Sequence, residues 1–157
     1  MASTGSANAN YQIVNMCNIV QYLIDHTMSN EAAGKSISRI ERFEDLEAWQ
    51  QARKLVNTVY NLSDVGAFAR DFTLRDQRRR AAVSIMSNIA EGFESRTQSL
   101  SIERLGRAKA SYGEVRSQLY LAYNRQYVSG EVFEQTLAQA ESASRLIHGL
   151  IRYTNDL

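Results

Sequence analysis

Apolar residues recur along this chain at spacings of three and four, and no segment shows the strict alternation of a strand, so the pattern predicts an all-helical protein. The clearest register lies in a helix expected from about Ser99 to Tyr127, where Leu105, Ala108, Tyr112, Val115, Leu119 and Ala122 form a heptad seam. After the Ser129-Gly130 turn, a helix from about Glu131 to Thr154 carries Phe133, Leu137, Ala140, Ser144, Ile147 and Ile151 in one row, widened by Ala143, Leu146 and Leu150. Upstream, a helix from near Asp45 to about Leu62 has Leu46, Trp49, Ala52, Val56 and Tyr60 on one stripe, with Glu44, Asp45 and Glu47 suiting its N-terminal dipole. Another runs from near Thr73 to Gly92 or shortly after, with Leu74, Ala82, Ile85, Ile89 and Phe93 inward and Thr73 and Asp76 spaced like a shortened capping box. Arg78 falls on that stripe where an apolar residue belongs; it either snorkels at the bundle end or marks a contact outside the core. Four such helices with short connections predict an up-down antiparallel four-helix bundle over residues 43–157.

Residues 1–42 have a different character. Met1 to Asn10 is small, polar and expected to be disordered; Ile13, Met16, Val20, Leu23 and Ile24 predict a short amphipathic helix over Tyr11 to Thr27; residues 29–36 read as linker. Two features of the bundle bear on how its helices are partnered, and the first predicts self-association. The apolar face of the last helix is broader than an up-down seam requires. Along the third helix runs a stripe of small residues, Gly106, Ala110, Gly113 and Ser117. Each glycine inside a helix costs roughly 1 kcal/mol relative to alanine, so two on one face suggest that a neighbouring backbone comes close, within the bundle or between subunits.

Charge sharpens this picture locally. The whole chain is near neutral at +1, but Arg70 to Arg116 holds ten Lys or Arg (Arg70, Arg75, Arg78, Arg79, Arg80, Arg96, Arg104, Arg107, Lys109, Arg116) against six acids (Asp71, Asp76, Glu91, Glu94, Glu103, Glu114). That window is a candidate polyanion-binding face, with Arg75, Arg78, Arg79, Arg80, Arg104, Arg107 and Lys109 as the expected nucleic-acid contacts; a solvated helix surface is the competing reading. The lone Cys17 cannot form an intramolecular disulfide or, without clustered His, a zinc site. Residues 1 to 20 lack Lys and Arg, and no apolar run is long enough to span a bilayer, so the expected home is the cytoplasm, with no membrane contact.

Catalytic constellations are missing from the pattern. Only His26 and His148 could serve as an imidazole base; His26 falls near the end of the extension helix and His148 beside the apolar face of the last helix, a setting for a structural histidine. No Glu-x-x-His pair of the di-iron bundle type occurs, and no phosphate-cradling glycine loop. The Arg-to-His spacing of four to six found in one class of helical RNases is not met, since Arg145 precedes His148 by three. Neither catalytic residue, metal nor cofactor is therefore expected, and a carboxylate pair between Glu91 and Glu114 is the remaining metal or ligand candidate. Ser84, Ser87, Asn88 and Glu91 share one face of the second helix, and Glu114 and Gln118 are four apart on the third. Such a set can be a solvated face, a ligand site or a buried network that fixes register; the network is the preferred reading.

The segments Phe43 to Arg53, Asp76 to Gly92, Gly113 to Leu119 and Leu150 to Arg152 resemble the four-helix-bundle proteins encoded in intervening sequences of bacterial 23S ribosomal RNA genes. That family is in turn similar to the accessory variability proteins of diversity-generating retroelements, which act beside a reverse transcriptase and bind RNA. The resemblance implies assembly into a homopentameric ring or barrel, no catalytic activity and a suspected role in nucleic-acid binding. This chain departs from the family pattern at Arg78, where an aliphatic residue is usual, at Met86, where proline is usual, and in the added residues 1 to about 40. The expected function is a non-enzymatic, oligomeric nucleic-acid-binding accessory protein that supports a reverse transcriptase. The alternative is an assembly module that binds a protein partner and no nucleic acid.

Overall fold

In the computed structural model, which describes residues 40–156, four long helices follow one another: α1 (Glu47–Ser63), α2 (Phe72–Phe93), α3 (Gln98–Asn124) and α4 (Gly130–Asn155), with single 3-10 turns at Phe43–Asp45 and Phe68–Arg70. The described residues contain no strand. The helix expected over Tyr11 to Thr27, the polar start and the linker lie outside them.

Three of the four starts are capped by a side chain. Asp71 accepts from the Leu74 amide at 3.1 Å, Thr97 from Leu100 and Ser129 from Val132, each satisfying one amide that the helix itself leaves unpaired. The α2 cap is thus Asp71, and the Thr73/Asp76 capping box does not form; Thr73 is already inside the first turn. The loop after α1 turns through Gly66 at φ 60°, a backbone region that glycine enters without a Cβ clash.

Each helix packs on its neighbour in sequence, and α1 closes against α4. Contacts between α2 and α3 show the antiparallel register: a Cβ on Gly92 would lie 3.4 Å from Leu105, while Ser84 meets Ser111 further along. One apolar core runs through the four helices on Leu55, Val59, Ile85, Ile89, Leu105, Tyr112, Val115 and Ile147. A second, smaller cluster of Phe68, Leu74, Leu119, Ala122 and Val128 fills one end of the bundle.

The α3 seam is buried at all six expected positions. In α1 the buried stripe is Ala48, Ala52, Leu55 and Val59, one position off the expected Trp49, Val56 and Tyr60. The two large aromatics sit instead at the rim, where part of each ring faces water: Trp49 packs edge-on to Phe43, and Tyr60 lies beneath Arg79. In α4 the fully enclosed row is Thr136, Ala140, Ala143, Ile147 and Leu150, and the expected Phe133, Leu137 and Ile151 flank it half-buried.

Candidate nucleic-acid interface

The basic cluster begins at the N-terminal turn of α2, and each of its four arginines has a different environment. Arg75 donates from Nε to Asp76 at 2.8 Å and from Nη1 to the Ala69 carbonyl at 3.1 Å, and lies over the Phe72 ring. Arg79 pairs with Asp64 at 2.5 Å, donates to Ser63 Oγ at 2.8 Å, and covers one face of Tyr60 at 4.7 Å. Arg80 is exposed and makes no ion pair with a described residue.

Arg78 is fully buried, and none of its three guanidinium nitrogens has a hydrogen-bond partner among the described residues. Its nearest compensation is the Phe68 ring, whose centroid is 5.6 Å away, and burial pushes its pKa down to about 10. Expected as a nucleic-acid contact, Arg78 cannot reach a phosphate from this position. Helix geometry explains why: it stands four residues after Leu74 and seven before Ile85, so the period that buries those two buries it as well. Removing Arg78 leaves the surface of the 70–116 window at nine cations against six acids.

The α3 cations are paired too. Arg104 meets Glu91 at 2.8 Å, Arg107 meets Glu103 at 2.7 Å, and Lys109 Nζ lies 3.2 Å from His148 Nδ1. Ion pairs this exposed are worth little in water and exchange readily for phosphate, so pairing weakens these side chains as contacts without removing them. At Asp76 the hydrogen bond from Arg75 is the main cause that holds the carboxyl below its ordinary range.

The polar set is smaller than expected and includes a residue that the pattern did not mark. Asn88 Nδ2 donates to Ser84 carbonyl and hydroxyl at 2.8 and 3.1 Å, and Ser111 Oγ donates to Ser84 Oγ at 3.0 Å. Ser111 sits beside Tyr112 in the α3 seam, and a small hydroxyl next to a heptad position was the available signal. Ser87, Glu91 and Glu114 are exposed and outside this network; Gln118 has a buried carbonyl oxygen with no donor. Glu91 and Glu114 do not face one another: the Ser84–Ser111 register sets them about 15 Å apart along the helix axis. No group of three or more His, Cys, Asp or Glu among the described residues could hold a metal ion.

Two open grooves flank α2 around Arg80. One, of about 510 Å³, lies on the α1 side with Tyr60, Asp76, Arg79 and Val83; the other, of about 300 Å³, lies on the α3 side with Gln77, Ser84, Ser111, Glu114 and Gln118.

A family model for the 23S rRNA-intervening sequence protein matches residues 44–149, the greater part of the described bundle. The chain belongs to that family. A crystal structure of a protein of unknown function from the S23 ribosomal protein family of Bacteroides thetaiotaomicron is similar in fold, with a TM-score of 0.63 and 19% identity over 67% of this chain and 95% of that one. No curated protein matches the chain. The family match covers Arg75, Arg78, Arg79 and Arg80 and both grooves, while residues 1–43 and 150–157 fall outside it. No helix among the described residues is long and apolar enough to cross a membrane.

Proposed function

We propose that this protein is a non-enzymatic accessory protein that assembles with copies of itself through the outer face of α3 and binds RNA or DNA through the cations around Arg80. The observation that carries assembly is the small-residue stripe. Gly106 and Gly113 each cost α3 about 1 kcal/mol relative to alanine, and a Cβ at either would meet nothing within 4 Å. No described residue of the chain therefore makes use of their small size. Ala110 and Ser117 complete the stripe, and exposed Leu121 and Tyr120 extend it. A second helix could approach closely along this line, and the family resemblance suggests that five copies close into a ring.

Support for nucleic-acid binding comes from Arg80, exposed and in no ion pair with a described residue, with Arg75, Arg79, Arg104, Arg107 and Lys109 on the same pair of helices; a ring multiplies their number. Service to a reverse transcriptase of a diversity-generating retroelement is the setting that the resemblance suggests, with the cytoplasm as compartment. RNA binding measured against salt tests this reading: affinity should fall steeply as salt rises, and Arg80→Glu should weaken it severalfold. A flat salt response, or no shift at low salt, contradicts it. The second reading, an assembly module for a protein partner, draws on the carboxylates that already occupy Arg75, Arg79, Arg104 and Arg107. It predicts that Arg80→Glu changes partner capture and leaves RNA irrelevant.

A further inference from the structure

Arg80 stands on a ridge between two unlike grooves, and neither is built only to attract phosphate. On the α1 side, Tyr60 is 38% exposed, with Arg79 stacked at 4.7 Å holding one face of its ring. On the α3 side, Arg80 and Glu114 stand at the same level of the antiparallel pair, which the Ser84–Ser111 contact sets, yet they form no ion pair.

A carboxylate is an acceptor that repels a phosphate and suits the N–H donors on the edge of a base. An aromatic ring braced from one side suits the flat face of a base. A duplex offers neither to a concave site, because its bases are stacked inside and its phosphates face outward; an unpaired strand offers both.

Resting on the nucleic-acid reading above, we infer that the ligand class is single-stranded nucleic acid, with one base stacked on Tyr60, a backbone phosphate at Arg80 on the ridge, and a neighbouring base edge donating to Glu114.

The test is fluorescence anisotropy of the full chain at low salt, with a labelled mixed-sequence RNA strand and its blunt duplex as probes. The strand should bind more tightly than the duplex. Tyr60→Ala should weaken strand binding roughly fivefold or more and leave the duplex unchanged, whereas Tyr60→Phe, which keeps the ring, should behave as the parent. Glu114→Lys separates base reading from simple charge attraction by sign: it should weaken the strand while strengthening the duplex. Equal binding of both probes, indifference to Tyr60→Ala, or a strand strengthened by Glu114→Lys overturns the inference and leaves a general basic surface. Failure of both probes to bind at low salt overturns the nucleic-acid reading itself.

Discussion

Arg78 brings a full charge into a place where no described acid meets it. Burying an unpaired cation opposes folding by several kcal/mol before compensation, and a single ring at 5.6 Å offsets only part of that. Arg78→Met, of similar length and apolar, should therefore stabilise the protein by about 1 to 3 kcal/mol, read as a higher urea midpoint at unchanged slope. A loss of stability would mean that the guanidinium has a counter-charge in the assembled protein. Tyr112 poses the neutral counterpart, a buried hydroxyl with no hydrogen-bond partner among the described residues, whose pKa burial pushes well up. Above pH 10 the unfolded chain releases this proton and the folded chain keeps it, so the unfolded state binds fewer protons and stability falls as pH rises. Arg78 acts in the opposite sense: burial lowers its folded pKa to about 10, so from there up to its ordinary, higher value the unfolded state binds more protons and stability rises. Tyr112→Phe should remove the alkaline loss and leave stability at neutral pH unchanged or slightly higher, as urea titrations at neutral and alkaline pH would show.

At the scale of helices, the α3 seam could be read directly because its residues are apolar, of medium size and enclosed on every side. The α1 stripe was read one position off because Trp49 and Tyr60 are large amphipathic rings that score as core and settle at the rim, a choice that depends on Phe43 and Arg79 from elsewhere in the chain. The arginine cluster was legible as charge but not as surface. Helix period alone placed Arg78 on the inner stripe, and composition argued against believing it. The pairing of Arg79 with Asp64 and of Arg104 with Glu91 crosses between helices and has no local signal. The glycine stripe was legible as an anomaly, and its resolution needed the neighbours: among the described residues the close approach is at Gly92 against α3, whereas a Cβ on Gly106 or Gly113 would meet nothing within 4 Å. Replacing both with alanine should raise the stability of the isolated bundle by about 1 to 2 kcal/mol. The same double variant should weaken self-association, so chemical denaturation and sedimentation should move in opposite directions.

For the whole molecule, the residues that define the fold and those offered to partners occupy different places. The core lies between the helices. The partner surface we propose is the outer side of α3 and the α2 ridge around Arg80, joined where Glu114 borders the small-residue stripe. A copy packed on that stripe would stand beside the α3-side groove, so assembly and binding would share an edge. The account depends first on assembly, and the most direct test is the solution mass of the full chain by light scattering. It predicts a mass near five times the 17.7 kDa of one chain, collapsing toward one chain on Gly113→Lys. A parent protein that remains at 17.7 kDa at high concentration would contradict it.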